Sequence, residues 1–433
     1  MKAVIQAGGK GTRISSITGD TIPKPMLEVA GYPILYHQIM NLKKCGIKDI
    51  ILIIGHLGNI IKDYFKDGTD IGVNISYIEE NPNEPLGTAG SLYYAKKLID
   101  NDFIFLLADV FIDIDFNKMY KFHKDNGAVI TLLTHPNGHP FDSDLVVEEN
   151  NVVLSFDYKT NDRTKYYYKN LVNAGIMIFS KSVLDLIDEP KKYNYEKDLI
   201  VPLIETKKVY SYESSEYAKD MGTPERYAKV QDDFKNGICE SKNLSNKQKA
   251  IFLDRDGTIN KYVGFLRKEE DFELIDGVTK AIKKINESGY LAIVITNQPV
   301  IARGEVTLQG LEEIHKKMET LLGLDGAYVD DIYYCPHHPD KGFEGEIESL
   351  KIKCDCRKPN TGLIDKAVIE HNIDLNKSYM IGDTTSDIKL AENAGIKGIL
   401  LRTGEAGKDN KWEVEPDFIA DNLKEALKYI KLD

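Results

Sequence analysis

Apolar residues in the first part of the chain fall into short runs with no inside/outside alternation: Ala3 to Ala7, Ile50 to Ile54 and Phe103 to Ala108. Between and after them come stretches of helical periodicity, from Tyr32 to Lys44, near Ile60 and around Met119. Strands that are apolar on both faces and alternate with helices predict a parallel sheet covered on both sides. From Val129 the pattern changes to strands with few helices, at Val129 to Leu133, Leu145 to Glu148, Val152 to Phe156 and Asn173 to Phe179. A β-rich insertion, acting as a lid or substrate layer, is expected there. A helix from Thr223 to about Lys235 leads into a polar stretch, 237–248, that reads as a linker. The alternation restarts at Ala250, with a helix near Val278 to Glu287, a strand Leu291 to Thr296, a helix through Ile314 to Leu322 and strands near Ile332 and Met380. The expected fold class is α/β, in two domains, 1–236 and 249–433, each with a Rossmann-like sheet.

Length and composition sharpen this only in part. At ~150 residues per domain, 433 residues suggest two or three domains. The net charge, 56 − 68 = −12, repels phosphate backbones, so no nucleic-acid partner is expected, and any phosphate site must gather its Lys and Arg locally. No apolar run approaches the ~18 residues of a membrane span and none near the start suits a signal peptide. A cytoplasmic protein is expected. Of five cysteines, three crowd between positions 335 and 356, which points to metal rather than to disulfides.

Two segments of the first half carry phosphate chemistry. Gln6-Ala7-Gly8-Gly9-Lys10-Gly11-Thr12-Arg13 follows the first strand, and its glycines let backbone amides approach an anion closely. In Ile22-Pro23-Lys24-Pro25-Met26 a proline on each side fixes the backbone, so the lysine is held in place. Together with Pro85-Leu86-Gly87-Thr88-Ala89-Gly90, Leu107-Ala108-Asp109, Asn173-Ala174-Gly175-Ile176 and Asp220-Met221-Gly222-Thr223-Pro224-Glu225, in that order, the first half resembles the nucleotidyltransferases that join sugar 1-phosphates to nucleoside triphosphates. The resemblance implies Mg²⁺ on Asp109 and Asp220, both hard oxygen donors. It places Arg13 at the departing pyrophosphate and Lys24 at the reacting phosphates. Residues Ala7 to Thr12, with Gly87 and Thr88, would hold the nucleotide, and Asn173, Gly175 and Lys159 the sugar phosphate. The chain departs from the family at Ala108, usually Gly, and at Tyr158-Lys159-Thr160, usually Glu-Lys-Pro.

The second half carries a different chemistry. Asp254-Arg255-Asp256-Gly257-Thr258 ends a strand, and two carboxylates two residues apart beside a permissive glycine suit a nucleophile and an acid/base partner. Ile295-Thr296-Asn297, Arg357-Lys358-Pro359 and Ile381-Gly382-Asp383-Thr384-Thr385-Ser386-Asp387 follow in an order that resembles the haloacid dehalogenase superfamily of phosphatases. That resemblance makes Asp254 the nucleophile and Asp256 the acid/base, with Thr296 and Lys358 on the phosphoryl oxygens. It assigns Mg²⁺ to Asp254, Asp256 and Asp383, leaves Asp387 to orient the metal shell, and places Asn297, Arg357 and Thr384 at the sugar phosphate. Cys335-Pro336-His337-His338 and Cys354-Asp355-Cys356 supply four ligands for one closed tetrahedral site, so structural Zn²⁺ is expected on Cys335, His337, Cys354 and Cys356, with His338 as competitor to His337. The same arrangement is similar to phosphatases acting on heptose 1,7-bisphosphate and histidinol phosphate, although Pro299-Val300 replaces their usual Ser-Gly. No segment is long enough for a large cap domain.

A transferase that needs an anomeric phosphate tolerates a fused phosphatase only if the latter removes a distal one. The paired resemblance therefore implies removal of the C7 phosphate from D-glycero-D-manno-heptose 1,7-bisphosphate, then nucleotidyl transfer to the heptose 1-phosphate for surface polysaccharide. GTP is the triphosphate expected by analogy, while UTP, CTP and dTTP share the same loop. Another sugar 1-phosphate with a different phosphatase substrate, or a sugar-nucleotide-binding regulatory module, are the alternatives. Self-association into a homo-oligomer is left open.

Overall fold

A computed structural model describes residues 1–9, 11–19 and 21–432. The chain forms two compact units, Met1–His135 with Val146–Asp157 and Asn173–Ser245, and Pro136–Leu145 with Tyr158–Val172 and Asn246–Asp433. Two segments that precede the linker in sequence, 136–145 and 158–172, thus belong to the second unit. There the Tyr168 amide donates to the Thr320 hydroxyl at 3.0 Å, and that hydroxyl donates back to the Tyr168 carbonyl at 3.2 Å.

The first unit is built on a nine-stranded mixed sheet in the order Asn74–Glu79, Asp49–Ile54, Lys2–Ala7, Phe103–Leu107, Val172–Phe179, Ile130–His135, Val209–Glu213, Val152–Asp157, Leu145–Glu149. Its first four strands are parallel, and Val172–Phe179 enters antiparallel to Phe103–Leu107 with Met177 opposite Phe105. The strands expected to form a separate lid or substrate layer therefore extend the main sheet instead. The reason is burial on both faces: Leu132, Ile176, Met177, Ile178 and Phe179 are all inaccessible, and a one-sided layer would leave half of them in water. The polar stretch 237–248 is not a solvated tether either. Cys239 packs with Tyr217 and Val230, and burial pushes its thiol up to about 12, so it is a core thiol. Asn243 donates to Asp113 at 2.6 Å and Leu244 is buried.

The second unit is a six-stranded parallel sheet in the order Asp331–Cys335, Tyr290–Asn297, Lys249–Leu253, Tyr379–Gly382, Lys397–Leu401, Phe418–Ala420. Apolar side chains fill both faces, Leu253, Val294 and Ile381 on one and Phe252, Ile295 and Met380 on the other. Lys249–Leu253 lies between Tyr290–Asn297 and Tyr379–Gly382, so residues that follow these three strands meet at one edge. That edge carries the second unit's chemistry, as expected where parallel strands end. No helix among the described residues is long and apolar enough to cross a membrane.

Candidate active sites

In the first unit, Asp109 follows the strand Phe103–Leu107 and Asp220 ends the strand Tyr217–Asp220, which runs antiparallel to Val110–Asp113 with Asp220 opposite Val110. The Met221 amide closes the pair by donating to the Asp109 carbonyl at 3.0 Å. Sheet register thus places two carboxylates side by side although 111 positions separate them (220 − 109). Lys24, buried in the turn Lys24–Met26, reaches both, at 2.8 Å to Asp109 Oδ2 and 3.6 Å to Asp220 Oδ1. Its ammonium stands where positive charge would be held between two anions. Arg226 Nη1 donates to Asp220 Oδ2 at 2.5 Å. Arg13 is in the same group: a Cβ on Gly222 would lie 3.1 Å from Arg13 Nη2 and 3.0 Å from Asp220 Oδ1.

Around this centre, the Gln6 Oε1 and Asn173 Nδ2 atoms are buried with no hydrogen-bond partner among the described residues, which marks places where a polar ligand can bind. Asn173 uses its own Oδ1 to accept from the Gly175 amide at 3.0 Å. Ala7 ends the first strand and Gly8, Gly9 and Gly11 come after it, while Lys10 and the side chain of Thr12 lie outside the described residues. Thr88 Oγ1 accepts from the Tyr195 amide at 3.0 Å. Lys159 lies in the 158–172 segment of the second unit, exposed, with its amide donating to Asp144 at 2.8 Å.

In the second unit, Asp254 follows the central strand and its amide donates to the Ile381 carbonyl at 2.9 Å. Lys358 Nζ bridges Asp254 Oδ1 at 2.8 Å and Asp387 Oδ1 at 2.6 Å and donates to the Ile295 carbonyl at 3.0 Å. Asn297 fixes that lysine from the neighbouring strand, accepting from its amide at 3.0 Å and donating to its carbonyl at 3.2 Å. Thr296 is buried, with its hydroxyl accepting from Gln298 Nε2 at 2.9 Å. Asp387 Oδ2 accepts from both the Thr384 amide and hydroxyl, at 3.0 and 2.7 Å, so Thr384 uses its hydroxyl to cap the following helix.

Asp254, Asp383 and Asp387 present oxygens within 4.8 Å of one another. Burial, reinforced by Asp254 and Asp387, pushes the Asp383 carboxyl well above the usual carboxylate range. Asp383 Oδ1 is buried with no hydrogen-bond partner among the described residues. Gly257 and Gly404, both at positive φ, crowd this carboxylate so closely that a Cβ at either would overlap it. Clustered, desolvated oxygens with one lone atom fit a hard divalent cation.

Asp256 is held differently. Arg255 Nη2 donates to its two oxygens at 3.0 and 2.8 Å, and Asn260 and Gln298 amides donate at 3.0 and 2.9 Å. Burial acts to raise its carboxyl, yet Arg255 and these donors outweigh it and hold the group below the ordinary value. Arg255 is itself fully buried and donates to His315 Nε2 at 3.2 Å. Burial, then the guanidinium, lowers His315 to about 3, so its imidazole is neutral and can accept.

The thiols of Cys335, Cys354 and Cys356 are 3.1 to 3.6 Å apart, and His337 Nδ1 is 3.2 Å from Cys356 and 3.7 Å from Cys335. Ligands about 2.3 Å from a tetrahedral centre sit about 3.7 Å from each other, so these four atoms frame a metal site. His338, the alternative ligand, is not in the group. Its Nδ1 accepts from the Asp340 amide at 3.2 Å.

Comparison with known proteins finds a match for each half of the chain. The nucleotidyl transferase family model matches residues 2–237, more than half of the chain. The chain belongs to the nucleotidyl transferase family. This nucleotidyl transferase carries a second match, to the HAD-hydrolase-like family, at residues 355–426. A D-glycero-β-D-manno-heptose-1,7-bisphosphate 7-phosphatase of Haemophilus ducreyi is 41% identical over 185 residues, 42% of this chain and 98% of that protein. Among solved structures, a D,D-heptose 1,7-bisphosphate phosphatase of B. bronchiseptica complexed with magnesium and phosphate is 28% identical, covering 42% of this chain and 98% of its own, with a TM-score of 0.38. HddC of Yersinia pseudotuberculosis is 29% identical, covering 54% and 99%, with a TM-score of 0.45. The nucleotidyl transferase thus also contains a phosphatase of the HAD-like kind.

Gly87 occupies its position for a reason the motif alone did not disclose. It has φ +77°, and a Cβ there would overlap the Tyr193 carbonyl oxygen. We expect Gly87→Ala to destabilise the nucleotidyl transferase by about 2 kcal/mol, from left-handed backbone strain plus that overlap. Urea unfolding measures this, and an unchanged midpoint would show that the segment simply moves aside. The contributions of Arg226, Arg255 and His315 were not read from the sequence, since a single polar side chain in a helix or turn carries no periodic signal.

Proposed function

We propose that this chain removes the C7 phosphate of D-glycero-D-manno-heptose 1,7-bisphosphate and transfers a nucleotidyl group, GMP from GTP, to the heptose 1-phosphate, supplying an activated heptose for surface polysaccharide. One observation carries the reading: a phosphatase domain 41% identical, over nearly the whole length of a protein named for that bisphosphate, shares a chain with a nucleotidyl transferase. A distal phosphatase leaves the anomeric phosphate that the transferase requires.

In the phosphatase, Asp254 attacks phosphorus and its new P–O bond replaces the bond to the sugar oxygen. Arg255 and the amide donors keep Asp256 ionised at rest, so it gives that oxygen a proton only after taking one up from solvent, and then takes one from the water that hydrolyses the aspartyl phosphate. Thr296, Asn297 and Lys358 hold phosphoryl oxygens, with Arg357 and Thr384 further out. Asp254, Asp383 and the Asp256 carbonyl would hold Mg²⁺, whose charge would offset repulsion between carboxylate and phosphate. In the transferase, Asp109 and Asp220 suit Mg²⁺, and Arg13 and Lys24 stabilise the phosphates as pyrophosphate departs. The Ala7 to Thr12 loop, with Gly87 and Thr88, serves the nucleotide, and Asn173 and Gly175 the sugar phosphate. We propose that both reactions run in the cytoplasm, where nucleoside triphosphates and soluble sugar phosphates are available together.

Zinc is the metal we assign to Cys335, His337, Cys354 and Cys356, because three thiolates and an imidazole leave no position open. Metal analysis is expected to find one zinc per chain, lost in Cys354→Ser together with thermal stability of the phosphatase. A Cys354→Ser protein that keeps its zinc sinks the assignment.

The decisive experiment supplies heptose 1,7-bisphosphate with each of four nucleoside triphosphates and identifies products by mass spectrometry. Phosphate, pyrophosphate and GDP-heptose are expected with GTP. Phosphate without any nucleotide sugar from any triphosphate overturns the coupled reading.

A further inference from the structure

The phosphatase centre opens into a cavity of about 470 Å³. Its floor is Asp254, Asp256, Thr296 and Lys358, a complete set for one phosphoryl group. The same cavity nevertheless carries three more cations on its walls, Lys353, Arg357 and Lys411. Arg357 donates to the His337 carbonyl at 3.2 Å, and neither Lys353 nor Lys411 is paired with a carboxylate among the described residues. On a chain of net charge −12, unpaired cations gathered at one cavity are surplus to a monophosphate.

Next to Lys411 on the rim is Trp412, the only tryptophan of the chain, 43% exposed. It does not sit on a loose segment. The Thr403 hydroxyl donates to the Gly257 carbonyl at 2.6 Å, the Glu405 amide to Asp383 at 2.7 Å and the Gly407 amide to the Asp383 carbonyl at 2.8 Å. Asp409 accepts from the Thr385 amide and hydroxyl at 2.8 and 2.7 Å, and the Trp412 amide donates to that hydroxyl at 3.2 Å. The loop is thereby tied to the catalytic turns themselves, and holds a large aromatic face open to water at the mouth of a cavity whose floor binds phosphate. Leaving that area solvated costs stability unless a ligand covers it.

We propose that Lys411 and Trp412 form a distal subsite that selects bisphosphorylated sugars: the indole covers the apolar C–H face of the sugar, and Lys411, with Lys353 and Arg357, binds the second phosphate. The inference rests on the phosphatase reading above and adds the residues that distinguish a bisphosphate from a monophosphate. Because Trp412 is unique, its emission reports this rim alone even in the full chain.

In the full-length Asp254→Asn protein, heptose 1,7-bisphosphate is expected to change indole fluorescence saturably, at concentrations about tenfold below those needed with heptose 7-phosphate. In otherwise wild-type protein, Lys411→Gln lowers the kcat/KM preference for the bisphosphate over the 7-phosphate about tenfold, and Lys411→Arg restores it. A preference unchanged in Lys411→Gln, or an indole signal that does not tell the two ligands apart, overturns the subsite while leaving the proposed function standing. If the wild type fails to hydrolyse the heptose bisphosphate, the substrate reading falls instead. The subsite is then judged by the same titration with glucose 1,6-bisphosphate against glucose 6-phosphate, and equal responses overturn it.

Discussion

Asp254→Asn stops phosphate release, with turnover of the bisphosphate falling at least about 10⁴-fold, while nucleotidyl transfer to preformed heptose 1-phosphate keeps its rate. An amide oxygen has almost no nucleophilicity toward phosphorus, and no described neighbour can replace it: Asp387 is occupied by Lys358 and the cap of its own helix, and Asp256 is saturated by Arg255, Asn260 and Gln298. The substitution keeps shape and removes one of three crowded carboxylates, so the fold should not suffer. The measurement is phosphate release beside acid-stable labelling of the protein from a phosphorylated substrate, which the variant should not show. Phosphate release at a substantial fraction of the wild-type rate would remove Asp254 from the nucleophile's role.

Asp109→Ala is the complementary result, lowering pyrophosphate release about 10³-fold and sparing the phosphatase. Lys24 is the reason for expecting so large an effect. It lies between Asp109 and Asp220, and with Asp109 gone the buried ammonium keeps, among the described residues, the 3.6 Å contact to Asp220. The site then loses one metal ligand and the partner that positions its lysine. Both carboxylates are about a third exposed, so the loss of the ion pair itself should change stability little. If raising Mg²⁺ restores full transfer in Asp109→Ala, the aspartate is not a metal ligand.

How much was legible follows from how local each feature is. The Cys335/His337 and Cys354/Cys356 pairs could be read because each spacing fixes two ligands on one turn, and two such turns need only meet once. The order of motifs could be read because each marks a strand end, and parallel strands deliver their ends to one edge. Arg255 shows the limit. The motif marked the two aspartates on either side of it, yet only the folded chain shows that it is fully buried and holds Asp256.

By itself the sequence determined that two α/β domains lie in tandem, which turns carry phosphate chemistry, and which four side chains form a Cys/His cluster. These depend on local periodicity and on spacing within single turns. The tertiary structure alone decided that the apparent insertion completes a nine-stranded sheet, that Lys24 lies between Asp109 and Asp220, that Arg255 holds Asp256, and that the 403–412 loop brings Lys411 and Trp412 to the phosphatase cavity. Each of these is a contact between distant residues, set by strand order and by burial on both faces of a sheet, and neither quantity is encoded in any one stretch of chain.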